Sequence, residues 1–361
     1  MAKKKAIDKW LFTAIVLLLG LGLVMVYSAS SAVAREREVA INPFLAKQAA
    51  AAVLGLGLML ALMHLDYRKL RRPAVVYGLL GLSLLALAAV LFQPVMNGTR
   101  RWFFVGGLSL QPSEAAKLAL VVFLAYQLDR KPDRVNQPDL LLPCALATGL
   151  TAGLVLLEPD LGTTVLLLGV AFVLLFLAGL GWKRVLASAA LVPPVLWALV
   201  LAAPYRRERL LAFLDPEADP LGSGYQPLQS LIAVGSGGVF GRGLGESVQK
   251  LHFLPHPHSD FIYAIVAEEL GLVGGLAVLG LFGLVLWRGV RAGVRAPDLF
   301  GRYLAWGITA SLVLQALINV SVAVALLPTK GIPLPFVSYG GSSLVATLAA
   351  CGVLLNLSEH A

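Results

Sequence analysis

The sequence is poor in charge and in cysteine. Asp, Glu, Lys and Arg make up only 14% of its 361 residues, whereas soluble proteins contain about 25%. Its two cysteines, Cys144 and Cys351, both lie inside apolar runs, where a small buried thiol is expected rather than a disulfide. These shortages exclude a soluble globular enzyme, a disordered regulator and a disulfide-rich secreted module.

Apolar residues are abundant instead, at 58% of the chain, and the mean hydropathy is +0.82. A helix needs about 20 apolar residues to cross a bilayer. Runs of that kind fall near 10–30, 43–63, 73–93, 112–128, 140–157, 161–180, 184–203, 261–287, 299–327 and 342–357. The sequence therefore predicts an all-α polytopic membrane protein, with about ten transmembrane helices in a single domain over residues 1–361. The first run is too long for a signal peptide and lacks a clean cleavage site, so we expect a retained helix.

The basic residues predict the orientation of these helices. Most of the 29 Lys and Arg residues lie in short segments on the same side as residues 1–9. By the positive-inside rule, both termini are expected in the cytoplasm. The long segment 204–260, between the seventh and eighth helices, then lies outside. We attribute the net charge of +9 to this topology and expect no nucleic-acid partner.

The outer segment has two features of its own. Residues 205–215 (YRRERLLAFLD) place three arginines beside four large apolar side chains, which is typical of a helix lying in the membrane interface. Residues 227–238 are apolar but short and broken by glycine. They favour a re-entrant or surface element over a full span.

Asp260 is the first candidate for chemistry, because it ends the outer segment and opens the eighth apolar run. Aspartate is a good helix N-cap, and Ser259 could fill the same role. A partly desolvated carboxylate facing the outer leaflet could also serve as a general base. The spacing of His252, His256, His258 and Asp260 permits zinc, although the intervening prolines make Mg²⁺ on Asp260 and a substrate pyrophosphate chemically easier.

Several other charged residues lie at helix ends on the same side. Glu114 and Lys117 can meet on one helix face, either as a structural ion pair or with Lys117 reaching a phosphate. Arg100 and Arg101, beside the interfacial Trp102, are either a pyrophosphate clamp or part of a solvated loop. Lys330 lies in a Pro- and Gly-rich stretch (328–343) that could receive an anion.

The remaining acidic residues favour structural roles. Glu158 and Asp160 lie in a short turn between two helices, and we expect Asp160 to cap the second one. Glu268 and Glu269 lie about 12–14 Å beyond Asp260 along a helix. They require partners inside the bundle, for which Gln315 and Asn319 are the predicted candidates.

Seven motifs in order across the chain resemble those of the SEDS family (shape, elongation, division and sporulation), which comprises FtsW, RodA and SpoVE. They are NGTRRW, QPSE with the following Lys117, EPDLGT, YQPLQSLIAVGSGG, GRGLGESVQKL, FLPHPHSDFIYAIVAEELG and LLPTKGIPLPFVSYGGSS. GESVQKL and LLPTKG are more similar to the division branch than to the elongation branch. The chain departs from the family pattern at His256, Ser259 and Tyr263, but the aspartate is retained.

The resemblance implies a peptidoglycan glycosyltransferase that joins lipid II units by β-1,4 links and releases undecaprenyl pyrophosphate, for division or elongation. It implies Asp260 as the catalytic base and a divalent cation, Mg²⁺ or Mn²⁺. The partner it implies is a class B penicillin-binding transpeptidase in the bacterial cytoplasmic membrane. The substrate-binding residues expected are Arg101, Trp102, Glu114, Lys117, Arg242 and Lys330. A lipid II flippase and a non-catalytic scaffold for the transpeptidase are the alternatives.

Overall fold

The computed structural model describes residues 7–36, 42–96, 98–105, 108–251 and 253–360. They form one short antiparallel hairpin, β1 (Phe103–Val105) and β2 (Leu108–Leu110), and a series of helices. In chain order the helices are α1 (Lys9–Glu36), α2 (Pro43–His64), α3 (Pro73–Val90), α4 (Pro112–Arg130), α5 (Pro138–Leu157), α6 (Leu161–Leu177), α7 (Trp182–Leu201), α8 (Pro204–Leu214), α9 (Tyr225–Ser236), α10 (Ile262–Arg295), α11 (Leu299–Ala323) and α12 (Gly341–His360).

Eight of the described helices are long and apolar enough to cross a membrane, namely α1, α2, α3, α5, α7, α10, α11 and α12. α6 is apolar but has only 17 residues. α4 is long enough, but it carries Glu114 and Lys117 and is buried along nearly its whole length. With these two, the described residues contain ten long helices, which match the ten predicted runs. The predicted all-α polytopic membrane fold is confirmed.

Proline and small polar residues fix where the helices begin. α2, α3, α4, α5 and α8 each start at a proline, whose fixed φ and missing N–H suit the first helical position. Asn42, Asp160 and Asp298 cap α2, α6 and α11 through side-chain oxygens that accept backbone N–H groups. Local sequence therefore sets most of the helix starts.

α4 lies at the centre of the bundle, in contact with α3, α5, α6 and α11. α2 packs along α12, and α10 packs against both α1 and α11. The two chain ends meet at one end of this bundle: the Asp8 carboxylate pairs with Arg288 near the end of α10, and the Asp8 backbone N–H contacts Ser358 Oγ. Both ends of the chain therefore lie on the same side, as an even number of spans requires.

α10 is interrupted at Gly271, where φ is 68° and ψ is −166°. The segment after α9 fills the break: the backbone N–H groups of Leu272 and Val273 donate to the oxygens of Gly238 and Val239. Gly241 lies so close to α10 that a Cβ there would be 2.1 Å from the oxygen of Glu269. The outer segment thus enters the bundle and completes the backbone hydrogen bonding of a broken helix.

The two expected elements of the outer segment are both helical. The predicted interfacial helix is α8. The apolar stretch 227–238 corresponds to α9, which packs against α10 and α11. Ser230 on α9 is fully buried, and its hydroxyl donates to the oxygen of Ala323 at 2.6 Å.

Candidate active site

The candidate site lies where α10 begins, between residues 256–260 and the loop 328–339 that precedes α12. Four hydrogen bonds hold these two segments in place. Asn319 Nδ2 of α11 donates to the backbone oxygens of Asp260 (2.9 Å) and Ile332 (2.8 Å). Ser338 Oγ donates to the oxygen of Ser259, and the Tyr339 N–H donates to the oxygen of His258. The backbone around Asp260 is therefore fixed both by α11 and by the facing loop.

The Asp260 side chain is half-buried, and among the described residues no donor hydrogen bonds to its carboxylate. Burial raises its pKa, while the positive charges of His256, Arg209 and Arg101 act to lower it. Gly331 leaves room for this carboxylate, because a Cβ there would be 3.2 Å from Asp260 Oδ2. A carboxylate whose backbone is fixed, and whose oxygens accept no hydrogen bond from the described residues, is suited to accept a proton.

Neither predicted cap of α10 acts as one. The N-cap position is occupied by Phe261, which provides no side-chain hydrogen bond. The capping interpretations of Asp260 and Ser259 are therefore wrong. The reason is that Ser338 and Asn319 already fix this backbone, so the helix starts one residue later than a capping carboxylate requires.

Arg101 reaches the turn between α5 and α6 from the hairpin region. Its guanidinium donates to the backbone oxygens of Glu158 (3.0 Å) and Pro159, and Nη1 lies 3.6 Å from Asp160 Oδ2. Asp160 also caps α6 through the Thr163 N–H at 3.0 Å, as predicted. Arg100 instead donates to the oxygen of Leu91, so only one of the two predicted arginines faces the site.

Two further cations contribute to the field at Asp260 and Asp160. Burial lowers the pKa of Lys330, and the Asp160 charge acts in the opposite direction. No hydrogen-bond partner of the Lys330 ammonium is found in the part of the chain that the structure describes. Arg209 on α8 donates to the oxygen of Thr329, next to Lys330, at 3.2 Å, and its charge, like that of Arg101, acts on Asp260. Asp260 is thus influenced by Arg101 and Arg209, and Asp160 by Arg101 and Lys330.

Arg209 is the site residue that sequence reasoning missed. The sequence pattern indicates only that it belongs to an interfacial helix. A signal is present, because an arginine on the side opposite the basic termini departs from the positive-inside pattern, as Arg101 does. For Asp160 the sequence indicates only a capping role, although its carboxylate also contributes to the field at Lys330 and Asp260.

Glu114 and Lys117 form the predicted ion pair, with 2.8 Å between Oε2 and Nζ. Both side chains are buried in the bundle. Lys117 Nζ also donates to Gln315 Oε1 at 2.6 Å, and Gln315 Nε2 donates to the oxygen of Pro333. The pair is therefore linked to the 328–339 loop but has its own partners. Substrate binding by Glu114 and Lys117 stays a prediction.

The predicted partners of Glu268 and Glu269 are wrong. Gln315 and Asn319 are occupied at the site, and the two carboxylates bind the 245–250 segment instead. Ser247 Oγ and the Val248 N–H donate to Glu268. Ser28 Oγ, Lys250 Nζ and the Gly245 N–H donate to Glu269. The re-entry of this segment could not be anticipated from spacing along α10.

Arg242 belongs to this second cluster. Its guanidinium lies 3.8 Å from Glu268 Oε1. Glu268 follows Asp260 by eight residues, which is about two helical turns. The structure therefore does not bring Arg242 to the site, and a role for it in substrate binding stays a prediction.

Trp102 follows Arg101 and is half-buried.

The histidines that the structure describes do not converge on a metal site. His258 packs against the rings of Phe44 (4.5 Å between centroids) and Tyr339 (5.6 Å), and burial lowers its pKa to about 4. His256 is exposed, and His252 lies outside the described residues. Within the described ranges no group of three or more His, Cys, Asp or Glu side chains is placed to hold a metal. The zinc interpretation has no support from the residues that are described.

Comparison with known proteins finds relatives along nearly the whole chain. A relative named probable peptidoglycan glycosyltransferase FtsW, from Geobacter metallireducens, is 44% identical over 344 residues, which are 94% of this chain and 91% of the relative. Stage V sporulation protein E of Bacillus subtilis is 42% identical over 360 residues, which are 99% of this chain and 98% of that one.

Solved structures extend the likeness to the fold. A chain from work described as "Structural coordination of polymerization and crosslinking by a peptidoglycan synthase complex" has a TM-score of 0.79 at 38% identity, with 98% of both chains covered. The rod shape determining protein RodA of Thermus thermophilus has a TM-score of 0.71 at 34% identity, with the same coverage. The family model FtsW/RodA/SpoVE, described as cell cycle protein, matches residues 9–361. This chain belongs to the FtsW/RodA/SpoVE family.

Proposed function

We propose that this protein is a peptidoglycan glycosyltransferase that polymerises lipid II at the outer face of the bacterial cytoplasmic membrane. The observation that carries the proposal is the Asp260 carboxylate, which is fixed through its backbone and free of hydrogen-bond donors among the described residues. The charges of Arg101 and Arg209 act on it, and Lys330 lies in the facing loop and interacts with Asp160. One carboxylate and several cations are the groups that sugar transfer from a lipid pyrophosphate requires.

The reaction forms one bond and breaks one. The 4-hydroxyl of the GlcNAc of one lipid II attacks the anomeric carbon of the MurNAc at the end of the growing chain. Asp260 takes the hydroxyl proton, and the bond to the pyrophosphate oxygen breaks on the opposite face. Attack with inversion gives the β-1,4 link. A well-placed general base contributes about 10²–10⁴ in rate.

The departing undecaprenyl pyrophosphate carries the developing negative charge. Lys330 is half-buried and has no hydrogen-bond partner among the described residues, so it can pair with an arriving anion without first breaking another contact. Arg101 presents a planar guanidinium suited to bidentate contact with phosphate. Fixed cations at the point where charge develops stabilise the transition state more than the ground state.

A divalent cation fits this site only if the protein carboxylates and the substrate pyrophosphate bind it together. Mg²⁺ is usually held by one or two carboxylates together with substrate phosphates, and the charge of Asp160 acts on Asp260. These two residues would hold the ion together with the pyrophosphate. When bound, the ion would supply further charge neutralisation to the leaving group.

The partner that we propose is a class B penicillin-binding transpeptidase. The structural relative above comes from a complex described as coordinating polymerisation and crosslinking. A polymerase that extends glycan strands and a transpeptidase that crosslinks them act on the same product. A polymerase paired with a transpeptidase could serve either cell division or cell elongation. The relatives named FtsW and stage V sporulation protein E favour division or sporulation.

A lipid II flippase is the second candidate. It would need polar groups that continue through the bundle. Here the charged groups beyond the site, Glu114 with Lys117 and Glu269 with Lys250, are paired with each other. This arrangement favours the polymerase.

The test uses purified full-length protein with its transpeptidase, labelled lipid II and Mg²⁺ or Mn²⁺, with products separated on a gel. Asp260→Asn is compared with Asp215→Asn, an exposed aspartate of the same outer segment. We expect long glycan from the wild type and from Asp215→Asn, and none from Asp260→Asn at an unchanged melting temperature. Polymer from Asp260→Asn at the wild-type rate would remove Asp260 from the mechanism. Lipid flipping without polymer from the wild type would favour the flippase.

A further inference from the structure

A second charged pocket lies at the opposite end of the bundle, at the predicted cytoplasmic face. It is open, has a volume of about 330 Å³, and is lined by Arg68, Arg71, Arg72, Tyr126, Asp129 and Arg130. This volume is within the range of about 300–1,000 Å³ typical of small-molecule sites. Four arginines against one aspartate make it strongly basic. It is remote from Asp260, and nothing in the proposed reaction uses it.

The arginines converge from three elements. Arg68 and Arg71 belong to a 3-10 helix (Tyr67–Arg71), Arg72 precedes the first turn of α3, and Arg130 ends α4. Arg71 pairs with the buried Asp129 at 2.7 Å, and Arg68 Nε lies 3.7 Å from Asp298. No acidic partner of Arg72 or Arg130 is found within the described ranges. Two guanidinium groups are therefore left facing the pocket.

The segment that bears three of these arginines is held rigidly. Tyr67 is fully buried, its hydroxyl donates to Asp298 at 2.7 Å, and its backbone N–H donates to Asn356. Asp66 caps the 3-10 helix through the Arg68 N–H at 2.9 Å. The pocket is thus formed in advance, which lowers the entropic cost of binding a ligand.

Charge bias for membrane topology does not account for this geometry, because lysine and arginine serve that purpose equally. In the sequence Arg68-Lys69-Leu70-Arg71-Arg72 all three arginines line the pocket, and the single lysine does not. Arginine is preferred where a planar fork must bind phosphate oxygens. The pocket also lies at the start of α3 and the end of α4, the ends that the positive-inside rule assigns to the cytoplasmic surface of the membrane.

We propose that this pocket binds the phosphate of an anionic membrane phospholipid. Arg72 and Arg130 contact the phosphate oxygens, and the Arg71–Asp129 pair supports them from behind. The acyl chains then follow the exposed apolar side chains of α3, such as Leu82 and Leu85, into the bilayer. Each arginine near an anionic lipid is worth about 1 kcal/mol, or roughly fivefold in affinity.

The test measures phosphatidylglycerol binding to the full-length protein in detergent, by native mass spectrometry and by thermal stabilisation. Phosphatidylcholine with the same acyl chains is the neutral comparison, and inorganic phosphate alone is a third ligand. The variant Arg72→Gln/Arg130→Gln is compared with Lys69→Gln/Lys183→Gln, which removes the same charge from exposed positions outside the pocket.

We expect phosphatidylglycerol to bind in preference to phosphatidylcholine, and the arginine double variant to lose at least tenfold in affinity. The lysine double variant should keep wild-type affinity. An equal loss in both variants would mean diffuse charge attraction and would overturn the proposal. Equal binding of both lipids would also overturn it, and stabilisation by inorganic phosphate with no added effect of lipid would assign the pocket to a soluble phosphate instead.

Discussion

The side-chain amide of Asn319 donates a 2.9 Å hydrogen bond to the backbone oxygen of Asp260. The same nitrogen donates to Ile332 in the facing loop, so one residue of α11 sets the distance between the proposed base and the loop that carries Lys330. The position of the carboxylate is therefore controlled through the main chain.

Replacing Asn319 by alanine should slow polymerisation by roughly 10- to 100-fold, since small displacements of reacting groups have effects of that size. The control is Asn356→Ala. Asn356 is equally buried and bridges Tyr67 and Met63 at the other end of the bundle. Both variants should lose similar thermal stability, but only Asn319→Ala should lose activity per folded molecule. Similar activity losses in both would contradict a positioning role.

Removing the charge of Arg209 should move the acid limb of the pH–rate profile to higher pH. The Arg209 charge acts to lower the pKa of Asp260, and a general base works only when deprotonated. In Arg209→Gln the base therefore ionises at higher pH. The control is Arg207→Gln, an exposed neighbour on α8. A uniform drop in rate with an unchanged profile would indicate that Arg209 acts on the leaving group alone.

Glu158 should make the protein less stable as pH rises. Its side chain is fully buried, neither carboxylate oxygen has a hydrogen-bond partner in the described chain, and burial raises its pKa to about 8. The folded state therefore holds a proton that the unfolded state releases above its ordinary pKa of 4.5. Stability contributed by the neutral acid is complete below pH 4.5 and is lost as pH rises toward 8.

Glu158→Gln should remove that dependence and raise stability by about 3 kcal/mol at pH 7, at 1.36 kcal/mol per unit of pKa shift. Thermal unfolding in detergent between pH 5 and 9 measures it. Glu217→Gln, an exposed glutamate of the outer segment, should leave the pH dependence unchanged. Parallel curves for the wild type and Glu158→Gln would show that Glu158 is ionised in the folded protein.

The Glu114–Lys117 pair can be separated from substrate binding by a double variant. Lys117→Met alone leaves a buried carboxylate without its partner and should cost about 3–5 kcal/mol. Adding Glu114→Gln should restore much of that stability. If the pair is purely structural, the double variant regains activity together with its melting temperature. Recovery of stability without polymerisation would assign Lys117 to the substrate.

Residues 237–243 pack so closely against α10 that adding a methyl group at Gly241 should destabilise the protein. A Cβ on Gly241 would lie 2.1 Å from the Glu269 oxygen, and φ there is +82°. Gly241→Ala should therefore unfold the protein at a markedly lower temperature. Gly280→Ala, in an open part of α10, should be neutral or stabilising by about 1 kcal/mol. Equal melting temperatures would mean that the two segments separate easily.

The sequence predicts the helices of this fold well, because apolar runs of about 20 residues and prolines at helix starts are local signals. It also identifies Asp260, Arg101 and Lys330, since charges at the edges of apolar runs are expensive unless they have a use. Their meeting at one site depends on the resemblance to known motifs, not on spacing.

What the sequence does not reveal comes from contacts between distant segments. Glu269 is bound by Ser28 and Lys250, and no periodicity in α10 points to either residue. Asp260 fails to cap α10 because Asn319 and Ser338 fix the preceding backbone. Capping preference is a local property, and here tertiary contacts override it.

The break in α10 has a consequence for where glycan is made. Gly271 interrupts the helix, and the part after it, residues 272–295, has 24 residues, or about 36 Å at 1.5 Å per residue. The hydrocarbon layer is only about 30 Å thick. The part after the break is therefore long enough to cross that layer alone, so the shorter part that follows Asp260 is not needed for the crossing. Sugars are then joined at the outer boundary of the bilayer, where the pyrophosphate of a lipid-linked substrate also lies.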